Sequence, residues 1–266
     1  MSRLARVLAC AAALVAAPVS LAHAADDPLA KARLLYNQRQ FEAAVNAAEQ
    51  ARLMPQRADA ADLVAARAYL ERFRASYASD DLTNARDRLR RLDPQRLAPR
   101  ERAEYLLGLA EALYLDGAYG AAANMFDSIL NSGDLQAAGG REKLLDWWAD
   151  ALDHDARPRP DIDRQTVYRR IHTRMEDEIA VRPGSATASY WLASAARSQG
   201  DLQAAWDAAQ AGWLRAPLAI DHGAQLRDDL DRLMMRGIIP ERAKATGQPP
   251  LVFQAEWDRF KERWKR

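Results

Sequence analysis

The chain has 266 residues, with 38 lysines and arginines against 37 aspartates and glutamates and a net charge of +1. So even a balance argues against nucleic acid as a bulk electrostatic partner. The single cysteine, Cys10, excludes a disulfide framework, and after it no thiolate nucleophile or cysteine metal site is available.

Residues 1–24 read as a secretory signal peptide. Arg3 and Arg6 form a basic start, Val7 to Val19 is apolar, and Ala22-His23-Ala24 supplies small residues around a cut. The apolar run is too short to anchor the chain in a bilayer, and no later segment approaches the length of a membrane span. Val7-Leu8-Ala9-Cys10 only faintly resembles a lipobox, because the apolar run follows the cysteine. The expectation is an exported, periplasmic protein cleaved near Ala24. Losing Arg3 and Arg6 takes the charge from +1 to −1.

Beyond the leader, apolar residues recur every three or four positions and runs of β-branched residues are absent, which is the helical period. Turn signals fall at intervals: Pro55, Pro94 with Pro99, Gly117, Gly139-Gly140, Pro158 with Pro160, Pro183-Gly184, Gly200 and Pro217. The predicted fold is all-α. Residues 32–55 place Ala32 before a turn, Phe41 after it, then Ala44, Ala48 and Ala51. Residues 106–129 repeat this with Ala110, Gly117, Tyr119, Ala122 and Phe126, and residues 190–217 with Ala193, Gly200, Leu202, Ala205, Ala209 and Pro217. Small residues at these positions let two helices approach closely, while a bulky residue wedges beside the turn. Two further copies fit less well. Residues 59–94 carry Ala66 and Tyr69 but seven extra residues around SYASDD. Residues 141–183 carry Ala149 and Leu152, with DHDARPRPDID read as a long polar loop.

The small-large-small order with a closing proline resembles the tetratricopeptide repeat, a helix-turn-helix unit of about 34 residues. The resemblance covers roughly residues 28–217. It implies a right-handed superhelix of about five helical hairpins over 25–217, whose first helices line a concave groove for a peptide or protein segment. Aligned on Ala32, Ala66, Ala110, Ala149 and Ala193, the groove candidates are Arg33, Tyr36, Asn37, Arg67, Glu111, Tyr114, Asp150, Asp153, Tyr190 and Arg197. Tyrosine and arginine commonly anchor interfaces. The family's carboxylate clamp wants Lys and Asn, whereas Leu29 and Arg33 occupy the matching positions.

Residues 218–240 read as a capping helix with Leu226, Leu230, Leu233 and Met234 on one side, 241–250 as a linker, and 251–266 as a terminal amphipathic helix. Phe253, Trp257, Phe260 and Trp264 form an aromatic stripe on that helix. The stripe suits docking onto the last repeats, a partner-binding helix or, less well, an anionic membrane surface.

Catalytic signatures are missing: no G-x-S-x-G, no phosphate loop and no dinucleotide fingerprint occur. His172 and Glu176 share a helix face but lack a third ligand. His154 lies among Asp153, Asp155, Asp161 and Asp163, yet Pro158 stands where a calcium loop needs glycine. No cofactor, metal ion or catalytic residue is expected. The leading expectation is a non-catalytic scaffold binding a protein or peptide of the cell envelope. The alternatives are an enzyme or cation-binding protein built on residues 150–163, and a peptidoglycan-binding scaffold. Oligomeric state is not legible.

Overall fold

The computed structural model describes residues 27–132, 140–219 and 223–265. The leader with Cys10 and its cut near Ala24, and His222, lie outside them. Among the described residues the chain is all-helical and has no strand.

Five consecutive helical hairpins run from residue 28 to 215. They are α1 (Pro28–Asn37) with α2 (Phe41–Arg52), α3 (Ala58–Ser76) with α4 (Ser79–Arg91), and α5 (Pro99–Leu115) with α6 (Tyr119–Ser132). Then come α7 (Arg141–Ala156) with α8 (Asp161–Val181), and α9 (Ala186–Ser198) with α10 (Leu202–Arg215). Each second helix packs on its own first helix and on the first helix of the next hairpin, giving a repeat-like array. The five alignment alanines, Ala32, Ala66, Ala110, Ala149 and Ala193, are all at 0% exposure. Any larger side chain there would push two backbones apart.

The three well-matched copies share one turn. Arg39, Gly117 and Gly200 take positive φ of 60°, 80° and 84°. The next residue's N–H donates back to the first helix in each: Gln40 to Leu35 O (2.9 Å), Ala118 to Leu113 O (2.9 Å) and Asp201 to Ala196 O (3.0 Å). This bond ends the first helix by satisfying a carbonyl that would otherwise be orphaned. The first two turns also carry an aromatic pair, Tyr36 on Phe41 and Tyr114 on Tyr119, with ring centroids 5.7 and 5.3 Å apart.

The two irregular copies differ in helix length. The extra residues around SYASDD extend α3 to Ser76, and the turn follows at Tyr77 (φ 56°). DHDARPRPDID is largely not a loop. Asp153, His154 and Asp155 lie in the last turn and a half of α7, and Asp161 opens α8. Pro158 and Pro160 confine the break to residues 157–160, Pro160 directly preceding α8.

The predicted linker at 241–250 is also corrected. A helix α11 (Gly223–Leu233) passes through a π turn (Met234–Ile238) into α12 (Ile239–Thr246), which ends at Gly247 (φ 70°). Pro240 would clash with the carbonyl four residues back in a regular α-helix, and the widened π turn removes that conflict. Burial of Ile238, Ile239 and Ala243 then holds α12 against α10 and the last core cluster. Only residues 247–249 separate α12 from α13 (Pro250–Trp264).

The aromatic stripe of α13 docks on the chain's own last hairpin. Phe253 and Trp257 are buried, with Trp257 at 0% exposure, while Phe260 is partly covered and Trp264 is half exposed. Trp257 meets Trp206 and Trp213 edge-on at 6.2 and 5.6 Å and stacks on Phe260 at 5.4 Å. Its Nε1–H donates to Asp231 Oδ1 at 2.6 Å, so the one polar atom of this buried ring is satisfied. No described helix is long and apolar enough to cross a membrane.

Candidate functional site

One large cleft, about 1280 Å³, opens on the C-terminal half of the array. Its walls come from α7 and α9, the first helices of the fourth and fifth hairpins, and from α11 and α12. Glu71 and Arg74 of α3 reach its far end. No residue of α13 lines it, so the terminal helix leaves the cleft open.

Side chains from α7 form the floor. Glu142, Asp146 and Asp150 recur every four residues and therefore lie one above another on a single helix face. Each is held by a hydrogen bond from an uncharged donor: Glu142 Oε2 accepts from Thr187 N at 3.3 Å, Asp146 Oδ1 from Trp191 Nε1 at 2.7 Å, and Asp150 Oδ2 from the Tyr114 hydroxyl. Beside them stands Tyr190, edge-on to Trp191. Burial pushes its phenol pKa up, and the carboxylates of Asp146, Asp153 and Asp150 push it further.

The arginines of the cleft are already matched. Arg141 grips Glu178 through Nε (2.8 and 3.0 Å) and Nη2 (2.7 Å), and Arg182 adds a third arm at 3.1 Å. Burial works against the charge on Glu178, but the two arginines outweigh it and hold the carboxyl below its ordinary pKa. Arg157 pairs with Asp153, and Arg197 donates to Glu241 through Nε and Nη2 at 3.0 and 2.6 Å. Trp147 is capped by two cations, Arg74 and Lys143, at 4.6 and 4.5 Å from its ring centroid.

Of the ten groove candidates, Asp150, Asp153, Tyr190 and Arg197 line this cleft. The others lie in the N-terminal half. Arg67 sits over the Tyr36 ring at 4.8 Å and pairs with Glu104 at 3.1 Å, and Glu111 pairs with Arg74 at 3.0 Å. Arg33 reaches Glu101 on α5, and Tyr114 is bound to Asp150. Asn37 is exposed at the end of α1. Burial, with Glu111 and Glu71 nearby and Arg67 opposing, raises the Tyr36 phenol to about 12. Apart from Asn37, these side chains tie different hairpins to one another, so the N-terminal half is interlocked where the C-terminal half is open.

Sequence reasoning missed Glu142 and Asp146. Stepping back from Asp150 by four would have found both carboxylates. Glu241 carried no such signal, because its segment reads as a linker.

The acidic stretch around His154 does not converge. Asp153 accepts from Tyr168 (2.7 Å) and pairs with Arg157, Asp155 pairs with Arg159, and Asp161 pairs with Arg164. His154 is stacked on Tyr119 at 4.6 Å, and its Nε2 stays 3.8 Å from Asp150. His172 pairs with Glu176 at 3.3 Å. No group of three or more potential ligands is arranged to hold a metal ion among the described residues. In comparisons with known proteins, no family model matches the chain and no curated protein matches it.

Proposed function

We propose that the protein is a non-catalytic scaffold of the cell envelope that holds an extended protein or peptide segment in a concave groove. The observation that carries this reading is the open cleft of about 1280 Å³ walled by first helices and left uncovered by α13. Small-molecule pockets run from about 300 to 1,000 Å³, so a cleft larger than that and open along its length suits a chain segment. The tetratricopeptide-like superhelix belongs to the same proposal. Its support is the shared turn at Arg39, Gly117 and Gly200 and the five fully buried alanines. The basic start and apolar run of residues 1–24 support export. A glycan-binding groove is less well supported, since both neighbours over the Trp147 ring are cations and Trp191 is buried, leaving no bare indole face for a sugar.

The test is site-specific photo-crosslinking in an envelope fraction. A photoreactive residue at Ser194, within the cleft, is expected to capture a discrete protein, whereas one at Asn84, exposed on α4, captures none. Equal capture at both positions, or none at Ser194, rejects the reading.

A further inference from the structure

The first helices do not stand equally close along the array. α1 packs on α3, α3 on α5 and α7 on α9, whereas the backbones of α5 and α7 hardly meet. On the outer side the same junction is tight. There α6 lies against both α5 and α7, and side chains of all three helices share one core cluster. A junction packed on its outside and parted on its inside has the form of a hinge, because the outer packing can serve as an axis while the inner gap widens or narrows. This seam also marks the far end of the cleft, where Arg74 and Trp147 line it.

Arg74 of α3 crosses the seam. Its Nη1 pairs with Glu71 at 2.9 Å and its Nη2 with Glu111 of α5 at 3.0 Å, so the guanidinium is anchored to the N-terminal hairpins. It lies over the Trp147 ring of α7, 4.6 Å from the centroid, and Phe126 of α6 packs on the same indole at 5.8 Å. A guanidinium can pair with carboxylates along its edge while a ring stacks on its face, which an ammonium group cannot do. Lys143, the other cation over Trp147, belongs to α7 itself and spans nothing. A second tie stands further along α7, where Asp150 accepts from the Tyr114 hydroxyl of α5. His154, 3.8 Å from Asp150 on the same helix, meets Tyr114 edge-on at 6.1 Å.

We propose that the seam between the third and fourth hairpins is the flexing point of the array and that Arg74 is the strap across it, its guanidinium on Trp147 setting the width of the cleft. Tyr114 steadies the other end of the seam. The cleft narrows when the strap is seated and widens when it is released, whatever occupies the groove.

The experiment measures distances between two spin labels on the full chain by double electron–electron resonance. The labels are carried by Asn84→Cys on α4 and Thr173→Cys on α8, exposed positions on either side of the seam, with Cys10→Ser removing the native thiol. A control pair, Asn46→Cys with Asn84→Cys, lies wholly on the N-terminal side. Arg74→Ala is expected to shift the cross-seam distance by more than roughly 2 Å, the size of an ordinary helix adjustment, and to broaden its distribution. The control pair should keep the parent distance. Arg74→Lys should shift the cross-seam pair as Arg74→Ala does, since it keeps the charge but loses the stacked plane. Should Arg74→Ala fail to fold, Arg74→Lys alone gives the answer. An Arg74→Lys chain indistinguishable from the parent, or an equal change in the control pair, overturns the proposal.

Discussion

Arg197 lies flat against Gly237: a Cβ added to that glycine would stand 2.6 Å from Arg197 Nε and 2.7 Å from Cζ. Gly237 belongs to the π turn before Pro240, and Glu241, one turn on, takes both Nε and Nη2 of the same arginine. The contact joins the last hairpin to the helix that supplies Glu241 to the cleft wall. Gly237→Ala should therefore displace the guanidinium, the far end of a flexible side chain, and loosen its partly exposed pair with Glu241 at a cost of at most about 1 kcal/mol, read by urea unfolding. In an Arg197→Ala background the same change should cost less, so the two effects should fall short of additivity. Full additivity would show that the close approach has no energetic consequence.

Arg39 occupies the turn position that Gly117 and Gly200 fill in the later copies, at φ 60°. A side chain in the left-handed region costs about 1–2 kcal/mol, partly offset by the extra unfolded-state freedom of glycine. Arg39→Gly is expected to raise stability by about 0.5–1 kcal/mol, because Arg39 is exposed at this turn. A loss of stability in thermal denaturation would contradict this account of the turn.

Trp257→Ala should cost about 3–5 kcal/mol, the usual range for emptying a large buried aromatic site. It would strip the contacts with Trp206, Trp213 and Phe260 and leave Asp231 without its indole donor. Because Trp257 lies outside the cleft, protease sensitivity should increase first around residues 247–249. A variant as stable as the parent would show that α13 is only loosely attached.

Tyr36 gives a pH dependence with a defined sign. Its folded pKa of about 12 lies above the ordinary 10, so the folded state holds this proton more tightly than the unfolded chain. The associated stability is complete below pH 10 and is lost as pH rises towards 12. A single group contributes a slope of at most about 1.4 kcal/mol per pH unit. Tyr114 shifts in the same direction through burial and its bond to Asp150. Tyr36→Phe should flatten the alkaline fall in denaturant midpoint from about pH 9.5 to about pH 11, the range around the ordinary tyrosine pKa of about 10; an unchanged slope would rule out Tyr36 as its source.

Much of the architecture was readable from small residues. Ala32, Ala66, Ala110, Ala149 and Ala193 mark the register of five hairpins because helix crossings tolerate nothing larger. Helix ends were less legible. DHDARPRPDID looks like a loop by composition, yet i,i+4 pairs such as Asp153 with Arg157 and Asp155 with Arg159 support its helical parts. Likewise IIPERAKATG looks like a linker because Pro240 signals a break, whereas the π turn carries the helix past it.

The sequence by itself determined the helical period, the hairpin register and the amphipathic character of the last helix, all of which follow from spacing along one chain. Tertiary structure alone decided which first-helix side chains are spent on one another and which face open space. Tyr36 holds the same repeat position as Arg197, four residues after the alignment alanine, but Tyr36 is covered by Arg67 of the neighbouring hairpin while Arg197 lines the cleft. That difference depends on how far successive first helices stand apart and on where α13 docks, and distances between helices remote in sequence are set by packing rather than by any local pattern.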